Sequence, residues 1–196
     1  MKNSNDNLWA PWRMEYLKSL SQSDDAHHGP SVSATDSHNE KPAGDDQDSC
    51  FLCRYAGDDP DNDKQNLLLW RGRRAIVVFN RYPYTAGHLL IGPISHVADL
   101  ADLDEATILE MMSLARDGQK VLTETIHPHG FNIGINIGRC AGAGLPGHIH
   151  IHLIPRWDGD TNSMSVIGRV RVISQSLDEL YDQLAQTSKK LDLPTG

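Results

Sequence analysis

Apolar and polar positions alternate most clearly in the second half of the chain. Phe131-Asn-Ile-Gly-Ile-Asn-Ile137 places Ile133, Ile135 and Ile137 on one side and Asn132, Gly134 and Asn136 on the other, the period-two signature of a β-strand. A glycine-rich stretch follows, from Gly138 to Gly147, and then His148-Ile-His-Ile-His-Leu153 alternates again. Upstream, Ala75-Ile-Val-Val-Phe79 and His88-Leu-Leu-Ile91 are short apolar runs bounded by Pro83, Gly87 and Pro93, so both read as strands. Between them and the alternating segments the period changes. Ile108, Met111, Met112, Ala115, Leu122 and Ile126 recur at helical spacing and predict a helix over 104–126, with the Met pair in the core and Pro128 as the stop.

A second helix is signalled near the end of the chain. Ser176 followed by Glu179 forms a capping box, and Leu177, Leu180, Leu184 and Leu191 make an amphipathic stripe running to Lys189 and Lys190. The pattern as a whole predicts an α+β domain over 50–160 and a C-terminal extension over 161–196. No internal repeat interrupts it.

Ahead of the domain the periodicity disappears. Residues 1–20 form an aromatic arm, with Leu8-Trp-Ala-Pro-Trp-Arg-Met-Glu-Tyr-Leu17 at its centre, suited to packing on the body or on a second subunit. Residues 21–49 are rich in Ser, Asp, His, Gly and Pro with Val32 as the one large aliphatic, a composition that cannot offset its ordering entropy and reads as a disordered acidic insert. His27, His28 and His38 lie there as parts of a solvated linker.

Charge sharpens the picture. The 196 residues carry 18 Lys+Arg against 26 Asp+Glu, a formal −8. Asp24, Asp25, Asp36, Glu40, Asp45, Asp46 and Asp48 against Lys41 put −6 of that in the insert, leaving about −2 for the rest. A broad cationic surface for nucleic acid is therefore not expected, whereas a local site for a small polyphosphate is compatible with the body. No apolar run reaches the length of a membrane span and Met1 to Leu20 lacks a leader pattern, so the expectation is a soluble, cytoplasmic protein without membrane or nucleic-acid partners. Three cysteines do not make a disulfide framework, and Cys50-x-x-Cys53 suggests a metal or redox pair.

The candidate chemistry lies in the histidine row. In an extended strand His148, His150 and His152 share one face at about 7 Å spacing, while Ile149, Ile151 and Leu153 enter the core. Neutral imidazole attacks phosphorus near pH 7 without a separate base, and no Ser or Cys sits at a nucleophile elbow for acyl transfer. The loop from Gly138 to Gly147, with Arg139, Gly142 and Gly144, can turn several backbone N–H groups toward an anion. Phosphoryl or nucleotidyl transfer through a phosphohistidine is the chemistry that fits. His88, His127 and His129 read as structural, and Cys140 as a loop thiol without function.

His148-Ile-His-Ile-His-Leu-Ile154, followed by Pro155-Arg156, resembles the signature of the histidine triad superfamily, in which three histidines alternate with apolar residues. The resemblance covers roughly residues 50–157. The N-terminal Leu-Trp-Ala-Pro-Trp-Arg-Met and Pro155-Arg-Trp-Asp-Gly-Asp160 are most similar to the bacterial diadenosine tetraphosphate phosphorylase branch. The resemblance implies a five-stranded antiparallel sheet with a long helix, dimerising through that helix and a strand edge into a homodimer. It implies His150 as the nucleophile that takes the nucleotidyl group, His152 beside the leaving oxygen, Asn136 as a brace, and Asn80 on the ribose. Asn80 also suits the turn that follows it, and Arg156 is a further candidate for the polyphosphate. The resemblance further implies structural zinc on Cys50, Cys53, His96 and His148. Related phosphorylases often carry a hydroxyl residue where Gly144 stands, which leaves phosphorolysis and hydrolysis both open. Hydrolysis of nucleoside phosphoramidates, and a zinc-stabilised nucleotide-binding module without turnover, are the competing readings.

Overall fold

The structure, a computed structural model, describes residues 47–160 and 175–193. The expected aromatic arm, the insert up to residue 46 and residues 161–174 lie outside the described residues. The last three residues assigned to the insert, Gln47–Ser49, form an exposed 3-10 turn.

Five strands, β1 (Leu68–Arg71), β2 (Ala75–Phe79), β3 (Leu89–Pro93), β4 (Gly130–Ile135) and β5 (Ile151–Arg156), form one sheet in the order β1-β2-β3-β5-β4. Every neighbouring pair is antiparallel. Among the described residues four α-helices accompany the sheet: α1 (Phe51–Gly57), the single turn α2 (Asp63–Asn66), the long α3 (Glu105–Ile126) and the C-terminal α4 (Leu177–Lys190). This is the α+β architecture expected from the sequence, with its five-stranded antiparallel sheet.

Both faces of the central strands are covered, which is why β2 is buried at all five positions. On one face Val77, Phe79, Leu89, Ile91, Ile151 and Leu153 pack with Met111, Leu114 and Leu122 of α3 and Leu180 and Leu184 of α4. On the other, Ile76, Val78 and Leu90 pack with Leu52 and Tyr55 of α1 and with Leu145. Gly118 lets α3 approach closely, because a Cβ there would stand 2.8 Å from Leu153 Cδ2. The edge of β1 is covered by α4: Tyr181 donates its hydroxyl proton to Leu68 O at 2.9 Å, and Trp70 Nε1 donates to Ser188 Oγ at 3.1 Å.

The helix boundaries follow their caps. Asp104 Oδ1 accepts from Thr107 N at 2.7 Å to open α3, and Ser176 Oγ accepts from Glu179 N at 3.3 Å to open α4. The inner stripe of α3 departs from expectation. Met111 is buried, but Met112 is half exposed and Leu109 more so, while Leu114 and Val121 take the core positions. The strand β4 departs too. It ends at Ile135, and Ile133, Ile135 and Ile137 stay partly exposed because β4 is the outermost strand.

Candidate active site and metal centre

The ladder between β3 and β5 stops at Ile91–Ile151, so the first half of the histidine row lies ahead of β5 as extended chain. Ile149 N donates instead to Val97 O at 2.7 Å, which keeps the alternation intact. His148, His150 and His152 are all buried, as are Ile149, Ile151 and Leu153 on the opposite face.

Hydrogen bonds fix the tautomers along the row. His150 Nδ1 lies 2.8 Å from the carbonyl oxygen of His148 and donates to it, leaving the Nε2 lone pair unprotonated. His152 Nδ1 lies 3.0 Å from His88 Nε2. His88 Nδ1 accepts from Tyr84 N at 3.2 Å, so the His88 proton is on Nε2 and is donated to His152 Nδ1. The proton of neutral His152 is therefore on Nε2, which is buried without any hydrogen-bond partner. The His150 and His152 rings lie 4.8 Å apart, edge to face at 65°. Burial lowers the His150 pKa, and burial followed by repulsion from His150 pushes His152 down to about 4. Both imidazoles are neutral at pH 7, one offering a lone pair and the other an N–H.

His88, read from sequence as structural, is thus a partner of the row. It is fully buried between β2 and β5, and Asn80 Nδ2 lies 3.3 Å from its Nδ1. The local signal was Gly87, whose φ of +78° turns the chain immediately before it and whose Cβ would meet Leu122 and Ile126 at 2.8 Å.

The remaining candidates lie around this centre. Asn80 Oδ1 accepts from Tyr82 N at 2.9 Å, so its side chain closes the turn after β2 as well as reaching His88. Asn136 is half-buried, with Nδ2 3.5 Å from Gly142 O. Arg139 opens an exposed 3-10 turn, Arg139–Ala141, that Gly142 closes at φ +88°. Gly144 is exposed, and a Cβ there would meet nothing within 4 Å. Arg156 gives Nε and Nη2 to the Asp160 carboxylate and Nη1 to Asn132 Oδ1 at 2.7 Å, so its charge is matched within the protein.

At the far end of the row lies a metal-type cluster. One ligand atom from each of Cys50, Cys53, His96 and His148 lies within 4.8 Å of the others. Cys50 Sγ and Cys53 Sγ stand 3.2 and 3.4 Å from His148 Nδ1, and Cys53 Sγ stands 3.3 Å from His96 Nδ1. His148 donates its Nε2 proton to Pro93 O at 2.8 Å, which presents Nδ1 to the cluster. Burial, and then the adjoining Cys50, pushes the Cys53 thiol up to about 12. Thiols packed in this way ionise only beside a cation, and a two-Cys, two-His set suits a tetrahedral divalent ion.

Sheet order, the buried alternating histidines and the adjoining Cys/His cluster define a histidine triad protein. The sequence matches the HIT domain over residues 63–159, and the chain belongs to that family. It is 34% identical over 178 residues to the AP-4-A phosphorylase of Mycobacterium tuberculosis, covering 91% of this chain and 82% of that protein. It is 29% identical over 100 residues to a bis(5'-nucleosyl)-tetraphosphatase [asymmetrical] of Schizosaccharomyces pombe, covering 51% of this chain and 54% of that one. A zinc-bound histidine triad family protein from Mycobacterium smegmatis superposes with a TM-score of 0.60 at 28% identity, covering 75% of this chain and 98% of that chain.

Proposed function

We propose that this protein is a nucleotidyl-transfer enzyme that cleaves dinucleoside polyphosphates, with diadenosine tetraphosphate as the first substrate, by phosphorolysis. The observation that carries the reading is the pair of ring nitrogens left to the site: an unprotonated His150 Nε2 beside a buried, partnerless His152 Nε2–H.

In the first step His150 Nε2 forms a bond to the α-phosphorus and the bond from that phosphorus to the bridging oxygen breaks. ATP leaves as an anion, since a polyphosphate is a weak base and takes no proton. His152 Nε2–H donates a hydrogen bond to the departing oxygen, and His148 O holds the Nδ1 proton of the adenylylated, cationic His150. In the second step an oxygen of inorganic phosphate attacks phosphorus, the P–N bond breaks and ADP forms.

Phosphate is favoured over water as acceptor by the same tautomers. Water needs a base, and His152 has its proton on Nε2 and accepts from His88 at Nδ1, whereas phosphate brings an anionic oxygen. The likeness to a phosphorylase supports this choice. Zinc on Cys50, Cys53, His96 and His148 would anchor one end of the histidine row, with no part in the bond changes. The exposed Ile133 and Ile135 on the edge strand β4, with Ile137 just beyond it, support a homodimer that pairs this edge with a second copy.

Product analysis tests the reading. Diadenosine tetraphosphate should yield ATP and ADP over many turnovers with phosphate present, and without it no ADP and no more than one ATP per site. AMP plus ATP in phosphate-free buffer would make the enzyme a hydrolase, and no turnover in either would leave a binding module.

A further inference from the structure

The imidazole that faces the leaving oxygen is packed against three other rings. His150 meets His152 edge to face, His88 donates to its Nδ1 at 3.0 Å, and Tyr84 lies against it with planes 22° apart and centroids 6.2 Å apart. The same phenol ring stands 4.9 Å from His88. Its side chain takes no part in the two steps above.

Exposure sets Tyr84 apart within this group. It is 44% exposed, whereas His152 is 9% and His88 0% exposed. The phenol ring is thus the outer layer, between solvent and both imidazoles. Tyr82, two positions earlier in the same turn, is 86% exposed and stands almost wholly in solvent.

The main chain of the turn holds the Tyr84 ring in place. Tyr84 N donates to His88 Nδ1 at 3.2 Å, His88 N donates to Thr85 O at 3.3 Å, and the Thr85 hydroxyl donates to Pro155 O at 2.8 Å. Tyr84 therefore acts twice. Its N–H sets the tautomers of His88 and His152, and its side chain covers His152. The first contribution survives replacement of the side chain, so the second can be tested alone.

His152 needs such a cover. Its Nε2 has no hydrogen-bond partner in the resting site, so nothing polar aims that N–H, and the single bond at Nδ1 leaves the imidazole able to tilt. A flat ring packed on its face restrains the tilt. Misplacement by about 1 Å at a reacting centre costs about 100-fold in rate. Water admitted to Nε2 would also compete with the leaving oxygen for the proton donor. Burial, followed by repulsion from His150, is what holds the His152 pKa at about 4. Among the described residues the titratable side chains against His152 are His150, His88 and Tyr84.

We propose that Tyr84 is a positioning residue of the transfer reaction, whose ring keeps the His152 Nε2–H aimed at the leaving oxygen and keeps water from it. The inference rests on the proposed function. The role belongs to the ring and not to the hydroxyl, so Phe is the conservative replacement.

The experiment combines steady-state kinetics on diadenosine tetraphosphate and phosphate with a histidine NMR titration of the resting enzyme. Tyr84→Ala should lower kcat by about 30-fold and leave KM within about twofold, because the ring acts on the leaving group and not on binding. In the same variant the His152 titration should move up toward the ordinary 6.5, since the imidazole is no longer covered. Tyr84→Phe should restore wild-type kcat and the low titration. Tyr84→Leu, which fills the space without a flat face, should fall between, so the result does not hang on one variant folding. Tyr82→Ala, a change in the same turn, should match wild type throughout. Wild-type kcat in Tyr84→Ala, a rise confined to KM, an unmoved His152 titration, or a Phe variant as slow as the Ala variant would each overturn this role while the proposed function stands. Absence of turnover by the wild-type enzyme would overturn the proposed function and this role with it.

Discussion

His88 Nε2 lies 3.0 Å from His152 Nδ1, and the direction of that hydrogen bond is set by a backbone N–H on the far side of His88. A main-chain group that cannot lose its proton thereby fixes the tautomer of His152 two residues removed in the relay. His88→Phe keeps an aromatic ring in the buried slot and removes the donor. The expected result is a fall in kcat of about 100-fold with KM changed little, the loss typical of a misoriented imidazole. Steady-state kinetics on diadenosine tetraphosphate decide it, and an unchanged kcat would remove His88 from the mechanism.

His152 also makes stability depend on pH in a defined direction. Its pKa of about 4 in the folded protein is below the ordinary 6.5, so the unfolded chain binds more protons at pH values between the two. Its contribution is intact above pH 6.5 and is lost as the pH falls toward 4. His152→Gln should therefore flatten the decline of the urea midpoint between pH 7 and pH 5. A wild-type resonance for His152 that titrates near 6.5 would contradict this.

The metal cluster predicts a stoichiometry. Zinc-loaded protein should contain one zinc per chain, and Cys53→Ser should lose it together with about 10 °C of thermal stability, since the site clips α1 to the strand end. Metal analysis and a melting curve on the same sample suffice. Full stability without zinc would mean that the thiols only pack.

Gly118 offers a test of the sheet–helix contact. Gly118→Val places a branched side chain where a Cβ alone would already stand 2.8 Å from Leu153 Cδ2, so overpacking outweighs any gain in helix propensity. The expected cost is about 2 kcal/mol in chemical denaturation.

The edge of β4 predicts the oligomeric state. Ile135→Lys puts a charge on the half-exposed side of the outermost strand and should convert the proposed homodimer to monomer in sedimentation. An unchanged mass would place the interface elsewhere or show that there is none.

Much of this molecule was legible from local pattern. The period of two predicted the histidine face, with Ile149, Ile151 and Leu153 inward, and Asp104 and Ser176 marked the helix starts. The elements that were missed carry little period: α1 has seven residues, and β1 is part of the short run Leu67-Leu-Leu-Trp70, apolar on both faces. Tertiary placement accounts for the rest. Ile133 and Ile135 alternate like core residues, yet the strand order leaves them at an edge. His88 and His152 are 64 positions apart, and only the pairing of β3 with β5 brings them together. Arg156 carried the charge expected of a phosphate ligand, but the acid that pairs with it, Asp160, lies four residues on and becomes its partner only in the turn.

The central claim is a covalent nucleotidyl-His150 intermediate, and acid–base quenching tests it most directly. Enzyme mixed with diadenosine tetraphosphate carrying labelled α-phosphate, without inorganic phosphate, and denatured within the first turnover should retain the label on the protein. The bond should survive alkali and break in acid, as a phosphoramidate does, and His150→Ala should retain none. Labelled protein from the His150→Ala variant, or unlabelled wild-type protein that nonetheless turns the substrate over, would contradict the account.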